Sequence, residues 1–357
     1  EHVTPCSGTM SRRRERRDPS ELGVAEAVNR YLKRRRQDAT DESVQSYKYR
    51  LKQFVEFLEE EGVETVGEIR PFDLDEFYAH RGAEVAPATL KGQMHTVRGF
   101  IRYLAKIDAV DDGLPESVQI PQMSEEDEVS FDIWDYEIAL TALDNWKETD
   151  PGCRTHALIE VMLITGARVG GLRALDVQDV HLDEQYIDFV NRPDTDTRLK
   201  KGYDGERPCA IPKRTVETLR DWLQRRPDTK DEFGRAPLFP SQRGRPHVST
   251  LQNWVYRATQ PCNWTTCPHD RDPQSCEYTW GKKASQCPSS ESPHPVRKGS
   301  MTYQRDLGFP VEVVAERCNT SSDVVEKHYD QATAHQRMEE RRRHFVDRFD
   351  DDKNDDS

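Results

Sequence analysis

The sequence predicts a mainly α-helical protein with a small antiparallel β-sheet, arranged as two domains joined by a linker. Three observations predict this fold class. The chain has 357 residues, which suits two domains of about 100–200 residues each. Apolar residues recur at spacings of three and four along most of it. Two short segments only, 186–190 and 209–211, have the composition of strands.

Composition limits the functional classes. No stretch reaches the roughly 18 consecutive apolar residues that a membrane span needs, and the N-terminus lacks the apolar segment of a secretory signal. We therefore expect a cytoplasmic protein that does not contact membranes.

The charge balance is unusual. The formal net charge is -13, yet 37 of the 52 basic residues are Arg, and Asp is slightly more frequent than Glu. Abundant Asp with few Lys is typical of halophilic proteins. At about 1 M salt the Debye length falls to roughly 3 Å, so binding of any polyanion would depend on close contacts more than on net charge.

The first predicted domain is helical and covers residues 20–108. Before it, residues 1–19 form a basic, disordered tail, which is either simply solvated or an arm that contacts phosphates. One helix opens at Thr40 with a capping residue and early acids, and it ends near Gly62. A shorter helix follows Pro71, and a third, long helix begins at Pro87.

The polar face of this third helix carries a basic stripe. Its members follow one another at spacings of 4, 3, 4 and 4 residues, and they are Lys91, His95, Arg98, Arg102 and Lys106. Most charged stripes are solvated faces. This one contains no acid, within an acidic protein, and we therefore favour a helix that faces DNA.

Residues 109–129 read as a linker, because they combine Pro, Gly and an acidic run. The second domain covers 130–347, and an acidic tail covers 348–357. Within this domain we expect helices at 132–146, 153–165, 213–225, 249–259, 295–307, 310–317 and 321–345. The segment 261–292 is an irregular, Cys-rich insertion.

Three motifs in the second domain carry the chemistry. The first is Thr165-Gly-Ala-Arg168, the second is His294-Pro-Val-Arg297, and the third ends a predicted helix at Tyr329. In this order the motifs resemble those of the tyrosine recombinases, the phage integrase and Xer family, and most of all the integrases of salt-loving archaea. The resemblance implies a helical SAM-like core-binding domain followed by a catalytic domain.

The resemblance also implies roles for these residues. Arg168 and Arg297 would hold the non-bridging phosphate oxygens, and Tyr329 would be the nucleophile. His294 is a plausible base for the phenolic proton. The general acid would be a Lys on the hairpin, where Lys200 and Lys201 are the two Lys residues and Lys200 is favoured.

One position departs from the family pattern. Where many members carry His or Trp, the nearest polar residue here is Asn319, ten residues before Tyr329. Asn can donate a hydrogen bond to a phosphate oxygen but cannot shuttle a proton. Proton transfer would then belong to His294 or to His328.

The Cys-rich insertion suggests a structural zinc site. Its candidate ligands are Cys267, His269, Cys276 and Cys287, with Cys262 as an alternative fourth ligand. The alternative is a set of reduced structural thiols. Catalysis as the resemblance implies it needs no cofactor.

The resemblance implies a site-specific DNA recombinase that cleaves and rejoins DNA through a 3′-phosphotyrosyl intermediate without ATP or a catalytic metal. Its partner would be double-stranded DNA with inverted-repeat sites, bound by a homotetramer on synapsed DNA, and the protein would be nucleoid-associated. Two other functions stay open: an inactive DNA-binding protein of the same fold, and DNA relaxation like that of type IB topoisomerases.

Overall fold

A computed structural model describes residues 18–39, 41–122, 133–281, 283–329 and 338, without the side chains of 41, 42 and 327–329. The chain divides into two compact units, Glu1–Ser130 and Phe131–Ser357, here called the N-terminal and C-terminal units. Residues 1–17 of the predicted basic tail, the acidic tail and most of the end of the last predicted helix lie outside the described residues. The last two residues of the predicted basic tail are ordered instead, because Asp18 caps a 3₁₀ turn that begins at Pro19. No helix in the described ranges is long and apolar enough to cross a bilayer.

The described part of the N-terminal unit contains four helices: α1 (Val24–Arg35), α2 (Asp41–Glu60), α3 (Pro71–Glu84) and α4 (Pro87–Ala105). Pro71 and Pro87 occupy the first helical turn, where a missing N–H costs nothing. The apolar faces meet in one core that contains Leu51, Phe54 and Phe77. The rings of Phe54 and Phe77 pack edge to face with centroids 4.9 Å apart.

The first part of the expected linker packs onto this unit. Ala109, Leu114 and Val118 are buried in the core of the N-terminal unit, and Leu114–Ser117 forms a 3₁₀ turn. The 3₁₀ turn contacts both α3 and α4, so the apolar side chains of this Pro- and Gly-containing segment are buried against these helices while its acidic residues stay exposed. Residues 123–132, which include the acidic run, lie outside the described part.

The C-terminal unit is organised around a buried helix. It begins with α5 (Tyr136–Thr149), α6 (Arg154–Thr165) and the short α7 (Val169–Ala174). All ten residues from His156 to Thr165 are buried, so α6 is the centre of this unit. It ends at Gly166 in the left-handed conformation, with φ of 58°. A Cβ at Gly166 would lie 2.4 Å from Cys318 Sγ, which excludes any side chain.

The predicted sheet is present and has three antiparallel strands in the order β1-β2-β3: β1 (Val180–His181), β2 (Tyr186–Phe189) and β3 (Arg207–Ala210). Ile187 pairs with Val180 on one side and with Cys209 on the other. Ile187 and Phe189 face the core, as the two-residue period of a strand requires.

Between residues 213 and 329 the described part of the chain adds five helices, α8 (Lys213–Arg225), α9 (Val248–Ala258), α10 (Pro293–Asp306), α11 (Val311–Cys318) and α12 (Ser322–Tyr329). Between α9 and α10, the Cys-rich insertion contains three 3₁₀ turns of three residues each. Helices α10, α11 and α12 share a small apolar cluster of Met301, Val314, Ala315, Cys318 and Val325. This cluster fixes these three helices against one another.

Candidate active site

Arg168 lies directly after the left-handed turn that ends α6. It caps the N-terminus of α7, and its guanidinium donates a hydrogen bond to the backbone carbonyl of Asn319 at 2.6 Å. The close approach of Gly166 to Cys318 brings the ends of α6 and α11 together. The Thr-Gly pair of the first motif therefore has a physical role: it places Arg168 beside residue 319.

Arg297 reaches the same place from α10. Its side chain is 3% exposed, and its guanidinium donates hydrogen bonds to the carbonyls of Cys318, at 2.7 Å, and Gly166. These contacts orient the planar guanidinium against both segments that hold Arg168. A guanidinium has five N–H donors, so backbone contacts can fix its plane while it also binds an anion.

Lys200 lies in the connection between β2 and β3. The positive charge of Arg168 is the main cause that lowers its pKa, followed by burial and the charges of Arg297 and Lys201. Hydrogen bonds from Asn319 to the Lys200 carbonyl and from Arg168 to the Asn319 carbonyl place Lys200 in the same site as Arg168. Lys201 adopts the left-handed conformation, φ 77°, at the start of the 3₁₀ turn Gly202–Gly205.

His294 is in the first turn of α10, and its side chain is accessible to solvent. Its pKa lies below the ordinary value of 6.5. Partial burial is the largest cause, and the positive charges of Lys298, Arg297, Arg168 and Lys200 add to it. The imidazole is therefore neutral near pH 7 and able to accept a proton.

Asn319 links the two sides of the site. It follows α11 in the left-handed conformation, φ 52°, which Asn adopts more readily than most residues. Its carbonyl accepts from Arg168, and its Nδ2 donates to the carbonyl of Lys200 at 3.1 Å. The side chain thus holds the loop that carries Lys200.

The position of Tyr329 is known from its backbone alone. It is the last residue of α12, which packs against α10 and α11, the helices that carry Arg297 and precede Asn319. The side chains of His328 and Tyr329 lie outside the described part of the chain, so the location of the phenol stays a prediction.

Two further arginines support the site, and the sequence reasoning missed both. Arg207 Nε donates to the carbonyl of Arg317 at 2.7 Å, and its guanidinium lies 4.2 Å from the ring centroid of Phe189. Arg317 donates to the carbonyl of Ile164 at 2.9 Å and to Gln304 Oε1 at 2.8 Å. They tie β3, α6 and α10 to the end of α11. Their residue type carried no signal, since 35 other Arg residues are present.

The basic stripe of α4 separates into two groups. His95, Arg102 and Lys106 are exposed and line a concavity of about 580 Å³. Arg98 instead donates to the carbonyl of Val118, and Lys91 is half-buried. Tyr103 of α4 and Asp38 also line the concavity, together with cations and aromatic rings of α1 and α2, which are Arg34, Arg35, Arg50, Tyr31 and Tyr47.

The candidate zinc ligands lie in the described part of the insertion. Cys267, Cys276 and Cys287 are free, half-buried thiols. A ring nitrogen of His269 hydrogen-bonds Ser289 Oγ at 2.9 Å. Among the described residues, no group of three or more His, Cys, Asp or Glu side chains is arranged to hold a metal ion.

Comparison with known proteins identifies the family. The model of the phage integrase family matches residues 136–269, and the model of the phage integrase N-terminal SAM-like domain matches residues 28–107. The chain belongs to the phage integrase family. The matched part of the catalytic domain includes Arg168 and Lys200, whereas His294, Arg297 and Tyr329 follow it.

A curated relative and two solved structures agree with this assignment. A protein of Caldanaerobacter subterraneus subsp. tengcongensis, named as a tyrosine recombinase, is 21% identical over 203 residues, which are 57% of this chain and 64% of the relative. The Tn1549 transposon integrase in complex with transposon right end DNA has a TM-score of 0.60 at 14% identity, over 89% of this chain and 99% of that chain. A lambda integrase tetramer bound to a Holliday junction has a TM-score of 0.59 at 15% identity, over 89% and 83%. The two structures show the integrase fold.

Proposed function

We propose that this integrase-family chain is a site-specific DNA recombinase that cleaves and rejoins DNA through a 3′-phosphotyrosyl intermediate. The observation that carries the proposal is the convergence of Arg168, Lys200 and Arg297 in one positively charged site. These residues come from three distant segments of a chain whose net charge is -13. Local positive charge of this kind suits a phosphodiester.

In the proposed cleavage, the Tyr329 oxygen attacks phosphorus and forms the phosphotyrosine bond while the bond from phosphorus to the 5′-oxygen breaks. Charge grows on the two non-bridging oxygens, and the guanidiniums of Arg168 and Arg297 are planar donors that stay charged at any working pH. Because they supply the charge stabilisation, the proposal requires no catalytic metal. Religation reverses the step, so no ATP is consumed.

Two proton transfers accompany this exchange. A phenol has a pKa near 10, and the neutral imidazole of His294 accepts its proton. The Lys200 ammonium donates a proton to the leaving 5′-oxygen. Its lowered pKa makes it a stronger acid than an ordinary Lys, which favours this donation.

Asn319 acts in this proposal as a positioning residue. Its side chain binds the Lys200 carbonyl, and its carbonyl binds Arg168, so it fixes the distance between the proposed acid and one phosphate ligand. A Cβ at Gly205 would lie 2.9 Å from Asn319 Nδ2, which shows how closely the loop and this side chain pack.

The N-terminal unit would contact the DNA. The exposed cations of α4, with those of α1 and α2, form a concavity whose positive charge suits phosphate contacts. The lambda integrase relative forms a tetramer on a Holliday junction. We infer the same assembly for this chain on two synapsed inverted-repeat sites.

The test is a suicide substrate, a pool of nicked DNA duplexes with randomised arms. Wild-type protein should form covalent adducts on a denaturing gel, and Tyr329→Phe should form none while its DNA affinity stays within about twofold. Tyr203→Phe is the matched control, because Tyr203 is an exposed phenol in the Lys200 loop. Adducts in Tyr329→Phe at the wild-type level would refute the proposal.

Two other results would indicate a function other than site-specific recombination. Wild-type protein that binds the duplexes without forming adducts would be an inactive DNA-binding protein. Relaxation of plasmids that lack a recombination site, without strand exchange, would indicate an enzyme like the type IB topoisomerases.

A further inference from the structure

The Cys-rich insertion holds four thiols that the proposed recombination does not use. Cys262, Cys267, Cys276 and Cys287 are all free and half-buried. Cys262 lies in the first 3₁₀ turn of the segment that connects α9 to α10, and Cys276 and Cys287 flank the other two. Cys267 begins a further turn, which a hydrogen bond from the Asp270 amide to the Cys267 carbonyl closes. Four thiols on one short segment are the ligand type that structural zinc sites prefer.

The backbone brings these turns together in pairs. Gln260 Nε2 donates to the carbonyl of Tyr278 at 3.1 Å. Gln260 is two residues before Cys262, and Tyr278 is two residues after Cys276. This hydrogen bond therefore holds the turn of Cys262 beside that of Cys276.

A second hydrogen bond links the other two turns. His269 bonds Ser289, and each of these residues follows a Cys by two positions, Cys267 and Cys287 respectively. The two pairs also lie close to each other, because the 3₁₀ turn Glu277–Thr279, directly after Cys276, packs against the 3₁₀ turn Ala284–Gln286, directly before Cys287. All four thiols thus share one neighbourhood.

The segment has little else to order it. Among residues 261–281 and 283–292, Ala284 alone is buried. The regular structure in these ranges consists of three single 3₁₀ turns. Since an apolar core cannot stabilise such a segment, ordering must come from polar contacts or from a bound metal.

We propose that Cys262, Cys267, Cys276 and Cys287 bind one zinc ion in a closed, four-thiolate structural site. Cys262 replaces His269 in the ligand set that the sequence favoured, because His269 is engaged with Ser289. The thiols do not yet surround a common point. A change of one χ1 rotamer moves a Cys Sγ by roughly 3 Å, so zinc can draw the thiols together while the turns stay in place.

The zinc site has a structural role in the insertion and takes no part in the proposed cleavage. Thr259 closes the base of the insertion, since its Oγ1 donates to the Glu291 carbonyl at 3.1 Å and accepts from the Glu291 amide at 2.7 Å. His294 follows this closure by three residues. The proposal is independent of recombination, because zinc content can be measured without DNA.

The first measurement is zinc content of the purified full chain. We expect about one zinc per chain in wild type, in His269→Ala and in Cys153→Ser, a control thiol that caps α6 outside the insertion. Cys262→Ser should lower the zinc affinity by about 100-fold or more, since loss of a ligand exceeds loss of its outer-shell partner. Zinc lost in His269→Ala and kept in Cys262→Ser would overturn the ligand set.

The second measurement uses wild-type protein, so a variant that fails to fold cannot obscure the result. Thiols that react with a chromogenic reagent are counted in chelator-treated protein and again after Zn²⁺ is added. The proposal predicts a difference of four protected thiols, and Zn²⁺ should also protect 261–292 from proteases. A difference of three, or none, would contradict the four-thiolate site.

Discussion

Removing the Arg297 guanidinium should affect cleavage and stability at once, and the two effects can be calculated separately. In the proposed mechanism Arg297 binds a non-bridging phosphate oxygen. Loss of one such transition-state donor lowers a rate by about 10²–10³-fold. We expect Arg297→Ala to slow single-turnover cleavage of the nicked duplex by at least this factor.

The same substitution leaves two buried carbonyl groups without their donor, those of Gly166 and Cys318. An unsatisfied buried polar group costs about 1–3 kcal/mol, so the free energy of unfolding should fall by about 2 kcal/mol or more. For a domain of about 150–250 residues each kcal/mol lowers Tm by roughly 2–4 °C. Thermal unfolding should therefore begin at least roughly 4 °C lower.

Arg297→Lys separates the two effects. Lys keeps the charge and can donate to one of the two carbonyls, so it should unfold closer to wild type than Arg297→Ala does. Cleavage should still be at least about tenfold slower, because an ammonium lacks the planar pair of donors. A folded Arg297→Lys variant that cleaves at the wild-type rate would refute the reasoning.

Three further predictions test other parts of the proposed mechanism. Asn319→Gly keeps the left-handed backbone but removes the hydrogen bond to Lys200, so cleavage should fall about tenfold with Tm nearly unchanged, and a wild-type rate would remove Asn319 from the site. The single-turnover rate should follow a bell-shaped curve against pH. The acid limb, where His294 becomes protonated, should have its midpoint below pH 6.5, and the alkaline limb, where Lys200 loses its proton, should have its midpoint below pH 10.5. A flat profile would contradict both roles. Arg102→Gln should lower the salt slope of DNA binding by about 0.9, because one phosphate is no longer neutralised. Arg98→Gln removes the donor to the Val118 carbonyl, so it should lower stability and leave the salt slope unchanged. Equal slopes for both variants would show that α4 is an ordinary solvated face.

The helices were predictable where the local signals agree. The helix expected at 213–225 is observed as Lys213–Arg225, because Pro212 sets its start and the apolar face has a clear period. The sequence placed the third helix of the first domain at Pro87 for the same reason. Strand β1 was missed, since two residues, Val180 and His181, are too few to show an alternating pattern.

The parts that could not be predicted depend on contacts between distant residues. Arg98 has the same spacing as its neighbours on the stripe. Its guanidinium binds the Val118 carbonyl instead of facing solvent, because the segment that contains Val118 packs onto α4. The bond from Asn319 to the Lys200 carbonyl joins residues 119 positions apart.

The central claim is that Tyr329 becomes covalently joined to DNA at this site. The most direct measurement is mass spectrometry of peptides from adducts trapped with wild-type protein on the nicked duplexes. We predict that the nucleotide is attached to the peptide that contains Tyr329, through a phosphate at the DNA 3′ end. Attachment to another residue, or through a 5′-phosphate, would contradict the claim.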